Sequence, residues 1–124
     1  MYIGRIVHVF PPEVWGDPYN AYELSLRQSN AGNRIAVFTF TKRRKSYVEH
    51  VNENLTIFRL RGLNMALSPP FSIYPLIPNL SEFIEKESLD ILHAHSHLFL
   101  TTFYSIRAAR KIGIPSVVSV HGLI

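Results

Sequence analysis

The segment DILHAHSH, residues 90–97, carries three histidines at the end of a short apolar run. The run predicts a β-strand that ends at His95, and the two-residue repeat of a strand places His93 and His95 on the same face. A fourth histidine, His121, follows a second apolar run at 117–120. In an open α/β sheet, ligands bind in the crevice outside the carboxyl ends of the strands. We therefore expect a binding site where these histidines gather.

Short apolar runs alternate with helix signals along the rest of the chain. Runs at 6–10, 35–40 and 55–60 predict three further strands, and a helix through Leu24 and Leu26 separates the first from the second. Right-handed crossovers between parallel strands need such helices. The sequence thus predicts a Rossmann-like α/β fold, a doubly wound parallel sheet with strands in the order 3-2-1-4-5.

Capping residues indicate where the helices begin and end. Asp17 is the expected N-cap of the first helix, and Gly32 is expected to end it. Asn79 with Glu82 resembles a capping pair for a second helix. Ser96 is expected to cap a third helix. The inward side chains expected for this third helix are Phe99, Leu100, Phe103 and Ile106.

Two segments between the predicted strands differ from the rest. Residues 42–54 are polar and begin with four basic side chains. These are Lys42, Arg43, Arg44 and Lys45. Residues 65–80 hold four prolines among apolar side chains, which predicts an apolar loop because proline interrupts both helices and ladders. The basic cluster is either a solvated loop or a contact for anionic lipid or an acidic acceptor, and Phe71 and Tyr74 can insert shallowly into lipid.

Composition excludes several classes of protein. With 124 residues, 47% of them hydrophobic and 18% charged, the chain is long enough for one folded domain with a core. The absence of cysteine excludes disulfides and fits a cytoplasmic location. No apolar run reaches the length of a membrane span, so any membrane contact is expected to be peripheral, at the inner face. A formal charge of +4 favours anionic ligands, but the basic residues lack the interleaved aromatics of a nucleic-acid platform.

The first predicted βα loop contains one glycine, Gly16. The dinucleotide-binding fingerprint needs three glycines at fixed spacing in this turn. A dehydrogenase that uses a nicotinamide or flavin cofactor is therefore not expected.

Several short motifs, taken in order, resemble a known family. They are IVHVFPP at 6–12 with Gly16, YELS at 22–25, DILHAH at 90–95, and IPSVV at 114–118 followed by His121 and Gly122. Together they resemble the amino-terminal domain of family 4 glycosyltransferases, with the weakest match between residues 42 and 78. Enzymes of that family have the two-domain GT-B fold, transfer a sugar with retention from a nucleotide-sugar donor, and need neither a metal nor another cofactor.

The resemblance implies roles for individual residues. His121 resembles the family's catalytic histidine, which contacts the donor sugar near the anomeric carbon. Gly16 and Gly122 resemble donor-binding glycines, whose missing side chains let the backbone approach the ligand. His95 and Ser96 match the motif that supports the acceptor cleft.

The resemblance also implies an incomplete enzyme. Residues 1–124 would form the acceptor-side domain of a glycosyltransferase of the hexosyltransferase type, with the donor-binding domain beyond Ile124. The acceptor would be a lipid-linked molecule or a saccharide. This fragment alone would be inactive.

Two other functions stay open at this point. A noncatalytic module would bind carbohydrate or nucleotide without turnover. A metal-dependent hydrolase would use His93 and His95 as paired ligands, but a catalytic zinc needs a third ligand, and Asp90 alone lies nearby in sequence. His8, inside the first predicted strand, is expected to be a packed core side chain.

Overall fold

The structure is a computed structural model that describes residues 1–11, 18–65, 75–96 and 99–120. The strands are β1 (Tyr2–Ile6), β2 (Arg34–Thr41), β3 (Tyr47–Asn52), β4 (Leu55–Arg61), β5 (Leu63–Asn64), β6 (Pro75–Leu76), β7 (Ile91–His95) and β8 (Ser116–Ser119). The helices are α1 (Pro18–Asn30), α2 (Leu80–Lys86) and α3 (Leu100–Ile112). Six strands form one sheet in the spatial order β3-β4-β2-β1-β7-β8, and β5 pairs with β6 in a small second sheet.

Five strands of the large sheet are parallel and follow the predicted order. β4, β2, β1, β7 and β8 lie side by side, and each neighbouring pair among them is parallel. Counted along the chain, these are the predicted strands 3, 2, 1, 4 and 5, so the predicted fold class is confirmed. β1 lies near the centre, where Arg5 is opposite Val37 of β2 and His93 of β7.

Helices cover both faces of the sheet, because its central strands carry apolar side chains on both sides. On one face, Ile3 of β1 is buried in a cluster that includes Ala21 of α1. On the other face, Phe38 of β2 is buried in a cluster with Ile84 of α2 and Ala109 of α3. The two clusters are the hydrophobic cores that hold the strand ends in place.

The first strand lies earlier in the chain than the apolar run at 6–10 predicts. The ladder ends at Ile6, while Val7, Val9 and Phe10 are buried beyond it. The Val7 N–H donates to the carbonyl of Phe38 at 3.2 Å. The chain stays inside the core after it leaves the strand. Residues 7–10 are therefore mostly apolar because they are buried, and not because they pair in the sheet.

Two segments expected to be loops contain strands. Within residues 42–54, β3 pairs antiparallel with β4, with Tyr47 opposite Arg59. The side chains of this edge strand are exposed or half-buried, so its apolar pattern is too weak to indicate a strand. Within residues 65–80, β6 begins at Pro75 and pairs with β5. Proline is tolerated at the first position of so short a strand.

Helix α3 presents a different face to the sheet from the one predicted. Its buried side chains are small or hydroxylated, whereas Phe103 is 59% exposed. The buried side chains of α3 are Thr101, Thr102, Ser105, Ala108 and Ala109. Small side chains let the helix axis lie close to the strands, so Phe103 turns outward, while Leu100 and Ile106 are half-buried. Its N-cap is Phe99 rather than Ser96.

The other expected helix ends have mixed outcomes. Asn79 is the N-cap of α2, but its side chain makes no capping hydrogen bond, so the predicted capping pair is wrong. Gly32 follows α1 with φ 99° and Gly113 follows α3 with φ 78°, as expected of glycines that end helices. Asp17 lies outside the described residues. None of the helices in the described ranges combines the length and the apolar character that a membrane crossing requires.

Candidate functional site

The segments that follow β1 and β7 meet at the switch point of the sheet, where successive strands are added on opposite sides of β1. β1 pairs with β2 on one side and with β7 on the other, so the strands that follow it in the chain extend the sheet both ways. His8, just past β1, stacks on Phe99, just past β7, with ring centroids 3.7 Å apart and planes inclined by 8°. His8 is half-buried and lies beyond the strand, so the expectation of a core side chain within β1 is wrong. Open α/β sheets bind ligands at such a switch point.

His95 and Ser96 lie together at the end of β7. His95 is 7% exposed, and its ring centroid is 4.3 Å from that of His93. Ser96 has φ 70° and is the one non-glycine residue with positive φ in the described ranges. Its N–H donates to the carbonyl of Ser119 at 2.8 Å, and its own carbonyl accepts a hydrogen bond from Thr102 Oγ1. These bonds hold Ser96 in a backbone conformation that is strained for serine.

His93 is engaged through both ring nitrogens. Its Nε2 lies 2.6 Å from Ser119 Oγ. Its Nδ1 lies 3.2 Å from Nη2 of Arg5 and accepts a hydrogen bond from Nε of Arg5 at 3.4 Å. A metal ligand must offer a free lone pair, and the guanidinium cation beside Nδ1 opposes a second cation. This arrangement does not favour the metal-dependent hydrolase, and no group of three His, Cys, Asp or Glu suited to a metal occurs among the described residues.

Arg5 is a buried cation in the middle of β1. It is 1% exposed, and its guanidinium also donates to Ser25 Oγ at 2.9 Å and to Gln28 Oε1 at 2.6 Å, both on α1. Burial lowers the pKa of Arg5 to about 10, so the group stays protonated at neutral pH. No ion pair within the described part of the chain includes Arg5. Its partners are therefore neutral hydrogen-bond acceptors, His93 among them.

Arg59 fixes the backbone that leads into the first βα loop. It is fully buried on β4, and its guanidinium donates to the carbonyls of Phe10 and Pro11. Its Nε donates to Glu49 Oε1 of β3 at 2.8 Å. Arg59 therefore fixes the position of the backbone at Phe10 and Pro11.

The basic cluster lies at the carboxyl ends of the parallel strands, the same end of the sheet as the segments that follow β1 and β7. Its four residues, 42–45, follow the carboxyl end of β2, which is parallel to β1 and next to it, and all four are exposed. The guanidinium of Arg43 lies 4.7 Å from the ring centroid of Tyr47. Arg61 at the end of β4 donates to the carbonyl of Arg44 at 3.5 Å. Positive charge is thus concentrated beside the switch point.

Comparison with known proteins assigns the fold to a family. The sequence profile described as Glycosyltransferase Family 4 matches residues 20–124. The chain belongs to glycosyltransferase family 4. The resemblance carried by its short motifs is therefore confirmed.

Individual relatives of this family 4 domain are distant. The phosphatidylinositol N-acetylglucosaminyltransferase GPI3 subunit of Saccharomyces cerevisiae (strain ATCC 204508 / S288c) is 22% identical over 125 residues, which cover 98% of this chain and 27% of the relative. The corresponding gpi3 subunit of Schizosaccharomyces pombe is 25% identical over 118 residues, covering 92% and 25%. The chain spans about a quarter of the length of each of these relatives.

Several expected site residues of the family 4 domain lie outside the described residues. They are Gly16, Phe71, Tyr74, His97, His121 and Gly122. The structure brings together His93, His95 and Ser96 at the end of β7, and it places residues 42–45 at the same edge.

The sequence prediction missed three polar residues whose hydrogen bonds hold the strands and the segments that follow them in place. Arg5, Arg59 and Ser119 each lie on a strand of the parallel sheet and connect it to a loop or a second strand. The signal for the two arginines is a basic residue inside an apolar strand pattern, as in YIGRI and LTIFRLR. A long cation in such a position must find internal acceptors, because its burial is otherwise costly. Ser119 carries no comparable signal.

Proposed function

We propose that this chain is the acceptor-side domain of a retaining glycosyltransferase that takes a sugar from a nucleotide donor. The observation that carries the proposal is the meeting of the loops after β1 and β7 at the switch point of a family 4 domain. The sugar passes to a hydroxyl of a lipid-linked or saccharide acceptor. The second domain of a GT-B enzyme supplies most of the donor site, so residues 1–124 alone are inactive.

In this proposal, each strand end has its own task. His121 contacts the donor sugar near the anomeric carbon and acts in catalysis. Gly16 and Gly122 let the backbone approach the donor, while His95 and Ser96 contact the acceptor. The order of β1, β7 and β8 in the sheet supports this division, because the segments that carry these residues follow adjacent parallel strands.

Retention fits the side chains described at this edge. His8, His95, Ser96 and Ser119 offer imidazole and hydroxyl groups, and none of these four is a carboxylate. A retaining glycosidase, by contrast, places a pair of carboxyl groups across the scissile bond. In our proposal a phosphate oxygen of the donor accepts the proton of the acceptor hydroxyl, and the new glycosidic bond forms on the face from which the nucleotide leaves.

A lipid-linked acceptor fits the charge of this edge. The exposed side chains of residues 42–45 are attracted to anionic headgroups, each contributing on the order of 1 kcal/mol near such a surface. The names of the two relatives refer to transfer to phosphatidylinositol, a phospholipid with a sugar-like headgroup. We place the protein at the cytoplasmic membrane face as a peripheral protein, with Phe71 and Tyr74 as further lipid contacts.

The experiment uses the full-length natural protein that contains this chain. UDP- and GDP-sugars are offered with phosphatidylinositol vesicles or soluble saccharides, beginning with UDP-N-acetylglucosamine, and the product is analysed by NMR for its anomeric configuration. We expect a glycosylated acceptor that keeps the configuration of the donor. Donor binding without transfer to any acceptor in the panel would favour the noncatalytic binding module, and an inverted product would overturn the retaining mechanism.

A further inference from the structure

A row of polar side chains crosses one face of the sheet beneath the crevice. Arg5 of β1 and His93 of β7 are opposite each other in the strand register, and Ser119 lies at the end of β8, the next strand. The guanidinium of Arg5 is 3.2 Å from His93 Nδ1, and His93 Nε2 is 2.6 Å from Ser119 Oγ. The row therefore runs without a gap from the buried centre of the sheet to its last described strand.

The direction of every hydrogen bond in this row follows from the fact that arginine can only donate. A guanidinium has five N–H donors and no acceptor, so His93 Nδ1 must accept the bond from Arg5. A neutral imidazole carries one proton, and with Nδ1 as acceptor that proton is on Nε2. Nε2 then donates to Ser119 Oγ. A hydroxyl that accepts from its neighbour keeps its own proton for a different acceptor.

The position of Ser119 indicates where its remaining proton is directed. Ser119 is half-buried at the carboxyl end of β8, and its carbonyl already accepts the N–H of Ser96. Among the described residues, His93 is the one hydrogen-bond partner of its Oγ. This O–H, which has no acceptor among the described residues, thus lies at the carboxyl end of β8, the end of the strands at which ligands bind.

We propose that Ser119 is a substrate-binding residue whose hydroxyl donates to an acceptor oxygen of the bound substrate, and that Arg5 and His93 are positioning residues that set its direction. The ligand group is a phosphate or sugar hydroxyl oxygen. This assignment rests on the proposed glycosyl transfer for the identity of the substrate. The proton placement on His93 does not, because it follows from the internal hydrogen bonds alone.

The first experiment measures the tautomer of His93. The full-length protein is labelled with ¹⁵N in histidine, and long-range ¹H–¹⁵N spectra distinguish a protonated ring nitrogen from an unprotonated one. We expect a protonated Nε2 and an unprotonated Nδ1 in the unmodified protein. In Arg5→Met, we expect His93 to lose this preference for the Nε2-protonated tautomer. Ser25→Ala is the matched control, since it removes a different hydrogen-bond partner of Arg5 and leaves the bonds from Arg5 to His93 in place. A protonated Nδ1 in the unmodified protein would overturn the proton placement, even if Arg5→Met fails to fold.

The second experiment tests Ser119 itself by steady-state kinetics with UDP-N-acetylglucosamine and phosphatidylinositol. Ser119→Ala should lower kcat/KM about tenfold, the usual effect of losing one well-formed hydrogen bond to a charged or polar ligand. Ser119→Thr keeps the hydroxyl and should retain most of the activity. Ser116→Ala, on the same strand and exposed, is the matched control and should stay within about twofold of the unmodified protein.

Variants of His93 separate positioning from mere packing. The side chain of Gln can accept from Arg5 through Oε1 and donate to Ser119 through Nε2, so His93→Gln should restore activity that His93→Ala loses.

The kinetics of Ser119→Ala identify the substrate that its hydroxyl contacts. A change in KM for the nucleotide sugar assigns the ligand oxygen to the donor, and a change in KM for the lipid assigns it to the acceptor. Equal kinetics for Ser119→Ala and Ser116→Ala would overturn the role of Ser119. If the protein transfers no sugar, equal affinities of these two variants for UDP-N-acetylglucosamine and for phosphatidylinositol vesicles would overturn it in the same way.

Discussion

Arg59 Nε lies 2.8 Å from Glu49 Oε1, and this contact joins the antiparallel edge strand to the arginine that holds the backbone at Phe10 and Pro11. The Arg59 side chain is fully buried, whereas that of Glu49 is 43% exposed. The same guanidinium holds the carbonyls of Phe10 and Pro11. The edge strand β3 therefore acts indirectly on the backbone at Phe10 and Pro11, because Glu49 helps to orient Arg59.

Arg59→Met should destabilise the fold and lower transfer activity. The substitution leaves the buried carbonyls of Phe10 and Pro11 without donors, and we expect a loss of about 2–3 kcal/mol in the free energy of unfolding. Chemical denaturation of the full-length protein measures it. Glu49→Gln is the control: it keeps an oxygen for Arg59 and should cost about 1 kcal/mol or less. If Arg59→Met is as stable as Glu49→Gln, Arg59 does not hold the backbone at Phe10 and Pro11.

Two adjacent threonines of α3 should respond in opposite ways to the same substitution. Thr102 Oγ1 donates to the carbonyl of Ser96, so Thr102→Val should cost about 1 kcal/mol of stability. Thr101 is 2% exposed, and its Oγ1 has no hydrogen-bond partner within the described residues. Thr101→Val should therefore be neutral or stabilising by up to about 1 kcal/mol. Thermal unfolding of both variants tests the pair, and equal destabilisation would contradict the hydrogen-bond pattern of the first turn.

Ser96 should gain stability from glycine and lose it with a β-branched residue. Its φ of 70° lies in the left-handed region, which disfavours a side chain at Cβ. We expect Ser96→Gly to stabilise the fold by about 0.5–1 kcal/mol and Ser96→Val to destabilise it by about 1 kcal/mol or more. Ser116→Gly, in the regular strand β8, should instead destabilise by about 0.5–1 kcal/mol. A loss of stability in Ser96→Gly would show that the backbone of Ser96 is not strained.

Neutralising the basic cluster should weaken binding to anionic vesicles. Changing all four residues at 42–45 to glutamine should reduce affinity for vesicles of phosphatidylcholine with phosphatidylserine by tenfold or more, and added salt should reduce the difference. A control with the same charge change carries four glutamines at exposed positions elsewhere. These positions are Arg27, Arg34, Arg110 and Lys111. Equal weakening by both sets would show that net charge, rather than the edge beside the switch point, drives membrane binding.

The sheet was predictable from sequence because its parallel strands are buried on both faces. Continuous apolar runs such as those of β2 and β4, with glycines at 32 and 113 after the helices, mark a doubly wound fold. The edge strand β3 was missed because it buries little and its side chains do not form an apolar run. The face of α3 was mispredicted because close packing against the strands selects Ala and Thr over Phe103, which periodicity alone favours.

The placement of His93 and His95 at the carboxyl end of β7 was predictable from sequence, but their hydrogen bonds were not. The histidines at 93 and 95 mark the carboxyl end of β7 because polar residues there interrupt an apolar pattern. Their partners come from β1 and β8, far away in sequence. The link from Arg5 through His93 to Ser119 depends on strand register and side-chain reach, which a single sequence does not contain.

The most direct test of the central claim is the transfer rate of the full-length protein with His121→Ala. Our proposal places His121 at the donor sugar, so we predict a loss of tenfold or more in kcat with UDP-N-acetylglucosamine and phosphatidylinositol, at unchanged stability. His50→Ala, an exposed histidine on β3, serves as the matched control and should leave the rate within about twofold. A rate for His121→Ala equal to that of the control would contradict a transfer site at the carboxyl ends of these strands.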